Sequence, residues 1–118
     1  MSTMNVSTVS EGVKKVSWNF NEKNTVSIDF CKELTEIIAD LEKDKSTLAV
    51  IFEGNGSFFS NGFEPTSFHG STTEHVSVVI DMAFGLCLRI FKAEFIALSA
   101  MNGHAMGFGA IFALFSDY

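Results

Sequence analysis

At 118 residues the chain has the length of one domain, and a 47% hydrophobic content that includes 13 phenylalanines is ample for a packed core. A net charge of −6 argues against a nucleic-acid surface. Six of the 8 Lys and Arg residues lie at or before Lys45, so an anion held in the second half would meet backbone N–H groups or helix ends rather than a basic patch.

Residues 1–12 form a polar, Ser- and Thr-rich segment that lacks the apolar core of a signal peptide. Val16, Trp18 and Phe20 then alternate with polar residues, the pattern of a half-buried strand. Residues 21–24 read as a polar turn. Ser27 is placed to cap a helix whose apolar positions, Phe30, Cys31, Leu34, Ile37, Ile38 and Leu41, follow the spacing of one helical face. Asp29 near its start and Lys43 near its end suit the helix dipole. The continuous apolar run Leu48 to Phe52 predicts a buried strand of the parallel kind.

A glycine- and polar-rich loop follows from Gly54 to Gly70 and contains the single proline, Pro65. Ser71 to Glu74 matches a capping box, predicting a second amphipathic helix through Val76, Val79, Met82, Ala83, Leu86 and Ile90. Phe95 to Met101 predicts a buried strand, Asn102-Gly103 a turn, and Ala110 to Phe115 a buried helix opening at Gly107 and Gly109. The order strand, helix, strand, loop, helix, strand, helix indicates an α/β domain with right-handed crossovers. The stretch Phe95 to Phe115 is long enough to cross a bilayer, but Asn-Gly at its centre, its glycines and the acidic Asp117 beyond it argue against a membrane span. Cys31 and Cys87 fall within predicted helices and have no metal-type spacing; they read as two buried thiols in a reducing compartment.

Two glycine-containing segments carry the functional signal. Residues 57–64, Ser-Phe-Phe-Ser-Asn-Gly-Phe-Glu, and residues 102–109, Asn-Gly-His-Ala-Met-Gly-Phe-Gly, each follow a predicted buried strand. Open α/β sheets bind ligands at such strand ends. The second segment runs into a helix, whose first N–H groups are free to donate. Brought together, the two turns offer two backbone donors to one oxygen, as in an oxyanion hole; ordinary structural turns are the competing reading. Gly107-x-Gly109 lacks the third glycine of a dinucleotide fingerprint. There is no P-loop lysine and no Gly-x-Ser-x-Gly elbow.

These residues resemble the crotonase (enoyl-CoA hydratase/isomerase) superfamily. Phe58-Phe59-Ser60-Asn61-Gly62-Phe63-Glu64 is similar to its first signature. Asn102 to Gly109, continuing through Ala113-Leu114 to Ser116-Asp117, is similar to its second, and Glu22 to Ser27 resembles the loop before its first helix. The resemblance covers the chain from about residue 13 to its end. It implies an α/β, crotonase-like ββα spiral fold, truncated after the helix that follows the second turn, with residues 13–118 as the N-terminal part of the domain. It further implies binding of an acyl-CoA thioester as substrate, with no separate cofactor and no metal. The enolate oxyanion would be held by the backbone N–H groups of Phe63 and Phe108, with Ser60, Asn61, Gly62, Glu64, Gly107, Gly109 and Ile111 lining the substrate site.

Two departures refine this. Phe108 stands where the family has a small residue, which narrows the acyl pocket or tilts the donor. Ile111 stands where hydratases of the family carry a Glu, and an Ile moves no proton. The resemblance is therefore greatest to Δ3,Δ2-enoyl-CoA isomerases of fatty acid β-oxidation, whose single carboxylate lies past the point where this chain stops. Within the chain, Glu64 reads as a loop contact, His104 as a hydrogen-bonded structural residue, Asp117 as a maker of local backbone bonds, and His69 and His75 as solvated. A non-catalytic acyl-CoA-binding or scaffolding domain is the alternative, and the piece alone is expected to be inactive. Full-length relatives are expected as homotrimers or hexamers. The compartment expected is the cytoplasm, or the peroxisome or mitochondrial matrix in a eukaryote.

Overall fold

A computed structural model describes residues 4–118; of the polar segment 1–12, residues 1–3 lie outside the described residues. Strands β1 (Met4–Ser10), β2 (Val13–Trp18), β4 (Ala49–Gly54) and β7 (Ile96–Ala100) form one sheet in the order β1-β2-β4-β7. β1 is antiparallel to β2, whereas β2, β4 and β7 run parallel. Helix α1 (Ile28–Lys43) connects β2 towards β4, and α2 (Thr73–Lys92) connects β4 towards β7, as parallel neighbours require. The short strands β3 (Thr25–Val26) and β6 (Gly62–Phe63) pair parallel, as do β5 (Phe58–Ser60) and β8 (His104–Ala105). Helix α3 (Phe108–Leu114) follows.

The helices form where the spacing predicts. Ser27 Oγ accepts from Phe30 N at 3.2 Å, and Phe30, Cys31, Leu34, Ile38 and Leu41 are the buried stripe of α1. Arg89 of α2 reaches Glu42 of α1 at 3.3 Å, a half-exposed pair of modest worth. At the centre of the core, Trp18 is fully buried, and its ring lies 5.2 Å from Phe59, 5.3 Å from Phe30 and 5.7 Å from Phe112. Such edge-on pairs each add about 0.5–1.5 kcal/mol beyond the area they bury.

Several expectations are corrected. Residues 4–10 are a strand, held by the backbone ladder to β2 rather than by a buried face, since most of β1 is exposed. The strand expected at residues 16–20 spans Val13–Trp18 and leaves Phe20 beyond its end. The loop at 54–70 contains β5, β6 and a short 3-10 turn at Pro65–Ser67. Thr72, not Ser71, caps α2: its Oγ1 accepts from His75 N at 3.2 Å, while the Ser71 hydroxyl donates to Thr66 O. Helix α3 is buried along one face only, with Leu114 81% exposed. The apolar stretch 95–115 divides into β7, β8 and α3, and among the described residues no helix is long and apolar enough to cross a membrane.

Candidate functional site

The first turn leaves the end of β4 and is pinned by side chains far away in sequence. Asn24 is fully buried with φ 48°, a left-handed conformation that Asn tolerates better than most residues. Its Nδ2 donates to Phe58 O at 2.9 Å and Asn55 O at 3.2 Å, and its Oδ1 accepts from Phe20 N at 2.9 Å. Trp18 Nε1 donates to Phe59 O at 2.8 Å. Ser60, 2% exposed, donates through Oγ to Asn24 O at 2.8 Å and accepts from Gly62 N at 3.2 Å.

Residues 61–64 rise along β3. Asn61 N donates to Lys23 O at 2.9 Å and Glu64 N to Val26 O at 3.1 Å. These two donors are three residues apart, which breaks the strict alternation of a strand, and Gly62 at φ 87° supplies the break. Gly62 N is held by Ser60 and Glu64 N by Val26, one on each side of Phe63.

The second turn is tied to the first by backbone and by one amide side chain. Asn102 Oδ1 accepts from Gly54 N at 2.9 Å, and its Nδ2 donates to Gly56 O at 2.9 Å. His104 N donates to Ser57 O and Met106 N to Ser60 O, each at 3.0 Å. Gly107, φ 54°, precedes α3. Gly109 N then donates to Met106 O, and Ala110 N and Ile111 N to Gly107 O. Phe108 is the first residue of α3, and its N–H belongs to the helix end that has no intrahelical partner.

The two turns are in backbone contact. A Cβ added to Gly62 would lie 2.9 Å from Phe108 N and 2.9 Å from Met106 O. Standard backbone dimensions then put the nitrogens of Phe63 and Phe108 at most about 7 Å apart. Two N–H donors share one oxygen when their nitrogens are within about 6 Å, twice a hydrogen-bond length. Close approach also explains Gly109, whose added Cβ would meet Ser60 O at 2.2 Å.

Of the residues singled out from sequence, Ser60, Asn61, Gly62, Phe63, Gly107, Phe108 and Gly109 are brought together at this junction. Glu64 is half-buried beside it, and Ile111 lies one helical turn further on, 36% exposed. The rings of Phe63 and Phe108 pack with centroids 4.7 Å apart. His104 differs from expectation: it is exposed, and its ring packs 4.9 Å from Phe58. Asp117 differs too: its carboxylate accepts from Ala97 N of β7 at 2.8 Å, 20 residues away, rather than from its own helix. His69 and His75 are exposed. Asn24 and Trp18 are the anchors that sequence reasoning missed; an Asn closing a polar turn was the one available signal. Beside the second turn, Met101, Gly103, Ala105, Ala110 and Leu114 line an open, mostly apolar groove of about 710 Å³.

Comparison with known proteins gives a consistent picture. The family model for enoyl-CoA hydratase/isomerase matches residues 8–118. Human mitochondrial enoyl-CoA delta isomerase 1 is 30% identical over 108 residues, 91% of this chain and 36% of that protein. Enoyl-CoA hydratase ACTT3 of Alternaria alternata is 24% identical over 92 residues, 78% of this chain and 31% of that protein. Among solved structures, human mitochondrial delta3-delta2-enoyl-CoA isomerase superposes with a TM-score of 0.93 at 28% identity, over 99% of this chain and 46% of that one. An enoyl-CoA hydratase from Bacillus anthracis shares the fold, with a TM-score of 0.94 at 24% identity over 99% of this chain and 46% of that one. The chain thus spans about a third of the length of the curated relatives it matches.

Proposed function

The chain belongs to the enoyl-CoA hydratase/isomerase family, and on that premise we propose that it forms the oxyanion-binding part of an enoyl-CoA isomerase site. The substrate is a 3-enoyl-CoA thioester. The N–H groups of Phe63 and Phe108 donate to its carbonyl oxygen. Loss of a proton from the α carbon leaves a dienolate whose charge rests on that oxygen, and return of a proton to the γ carbon gives the conjugated 2-enoyl thioester. Two backbone donors stabilise the dienolate more than the neutral carbonyl, which is what lowers the barrier; one such donor is worth about 3–4 kcal/mol. Ser60, Asn61, Gly62, Glu64, Gly107, Gly109 and Ile111 surround the thioester.

The observation that carries this reading is the close approach of the Gly62 backbone to Phe108 N, so close that a Cβ added to Gly62 would lie 2.9 Å from that nitrogen; it brings the two turns together beside their donor residues. Isomerisation is favoured over hydration because Ile111 provides no carboxylate to activate water. The hydrogen bonds that build the two turns come from backbone and from the uncharged side chains of Trp18, Asn24, Ser60 and Asn102. Glu64, half-buried beside the junction, is read as a loop contact, and the carboxylate that moves the proton is placed outside the two turns.

That same observation favours a second reading, a non-catalytic acyl-CoA-binding domain. One experiment separates them. The chain is titrated with 3-enoyl-CoA, with binding followed by calorimetry and conversion by the absorbance of the conjugated product. Binding with conversion supports the isomerase, and no binding refutes both; binding without conversion supports the binding domain only if acetate, added in place of the carboxylate that lies outside the turns, also fails to restore conversion.

A further inference from the structure

The two proposed donor residues carry large aromatic side chains, although only their backbone N–H groups are used. Phe108 is 2% exposed, and its ring packs tilted against Phe63, with centroids 4.7 Å apart and 32° between the planes. An edge-on ring closes each end of this pair. Phe68, after the 3-10 turn, sits 5.1 Å from Phe63 at 85°, and Phe84 of α2 sits 5.4 Å from Phe108 at 77°. The four rings form one continuous stack between the loop and α2.

The stack lies where backbone pairing between the turns runs out. The β5–β8 ladder ends at Ser60 and Ala105, and its register is already shifted between Phe58 and Ser60. Met106 N donating to Ser60 O continues it by one bond. Beyond that bond, β6 pairs with β3 instead of with the second turn. From there on, the turns meet through the bare backbones of Gly62 and Gly109 and through the Phe63–Phe108 ring pair, the one side-chain contact between the two donor residues themselves. Each ring hangs from the Cα next to its own donor nitrogen, so with the rings held in their rotamers by packing, ring spacing is transmitted to donor spacing.

We infer that Phe63 and Phe108 are positioning residues whose stacked rings, braced by Phe68 and Phe84, set the separation of the two N–H donors and thereby the polarisation of a bound thioester carbonyl. This rests on the oxyanion reading above. It assigns the side chains a task that small residues at these positions could not perform.

The test uses the chain itself with a conjugated enoyl-CoA labelled with carbon-13 at the thioester carbonyl. Isotope-edited infrared spectroscopy reads the carbonyl stretch, and calorimetry reads affinity for the thioester and for free coenzyme A. Wild type is expected to lower the stretch of the bound carbonyl. Phe63→Leu and Phe108→Leu are expected to lose at least about half of that shift, with affinity for free coenzyme A held within about twofold. Phe63→Tyr, which keeps a ring in the stack, is expected to retain most of it. Phe84 is 43% exposed, so Phe84→Ala removes one brace from the surface and decides the matter if the Leu variants do not fold. Full retention of the shift in folded Leu variants, or in Phe84→Ala where the Leu variants do not fold, overturns the positioning role while leaving the oxyanion reading intact. Absence of any shift in wild type overturns both.

Discussion

Replacing Gly109 by Ala sets two effects against each other. Gly109 is in the first turn of α3, where Ala would ordinarily stabilise a helix by about 1 kcal/mol over Gly. Its added Cβ, however, would lie 2.2 Å from Ser60 O and 2.9 Å from Ser60 Cβ. Carbon–oxygen contacts close to about 3.3 Å at best, so the backbones must part by roughly 1 Å. Overpacking of this kind costs about 1–3 kcal/mol. Ser60 O also accepts from Met106 N, and weakening that buried bond adds about 1 kcal/mol. The clash wins, with a net destabilisation of about 1–3 kcal/mol. Gly85 of α2 is the internal control, because it is exposed and an added Cβ there meets nothing within 4 Å. Gly85→Ala should therefore stabilise by about 0.5–1 kcal/mol. Urea unfolding followed by circular dichroism reads both, as opposite shifts of the midpoint at constant slope. If Gly109→Ala raises the midpoint as Gly85→Ala does, the close contact between the turns is not as described.

Further outcomes follow from the same contacts. Asn102→Ala loses the bonds to Gly54 N and Gly56 O and should cost about 1–2 kcal/mol, with faster amide exchange at Gly54; unchanged exchange there would contradict the tie between β4 and the second turn. Trp18→Phe strands the Phe59 carbonyl and opens a void, and should destabilise by about 2–4 kcal/mol in urea unfolding; a loss within about 0.5 kcal/mol would deny Trp18 its anchoring role. Burial pushes the Cys31 thiol from 9.0 up to about 12; burial first, and then the neighbouring Cys31, does the same to Cys87. Because the fold favours the neutral thiols, their contribution to stability is intact below pH 9 and is lost as pH climbs from 9 towards about 12. At pH 8 iodoacetamide should label both thiols in urea and neither in the folded chain on the same timescale; rapid labelling of the native chain would contradict their burial.

The legible parts of the sequence were those decided locally. The stripe of α1 and its Ser27 cap depend on residues within a turn or two of one another, and they lie where the spacing puts them. The cap of α2 moved by one residue because Thr72 and Ser71 are equally suited, and the Thr66 carbonyl claims the Ser71 hydroxyl. β1 was missed because an exposed edge strand is held by main-chain bonds and carries almost no alternation: Val6 and Val9 are 43% and 55% exposed. At the site, the glycine-rich segments were readable as turns, and the resemblance joined them. The scaffold beneath them was not readable, since Trp18 Nε1 finds Phe59 O across 41 residues and Asn24 finds Phe58 O across 34. Propensity carries no information about such pairings.

The parallel arrangement of β2, β4 and β7 bears on how the site could be detected at all. Its neighbouring strands are separated by whole helices, so although β1 and β2 form a local hairpin at the edge of the sheet, the parallel pairings themselves are non-local and close slowly. Gly54 and Asn102, 48 positions apart, come together only in that closed state. A molecule gripping both turns would be ignored by the open chain. It would add about 2.7 kcal/mol of resistance to melting at a hundredfold excess over its dissociation constant, which makes a thermal-shift screen of coenzyme A thioesters a direct reporter of occupancy.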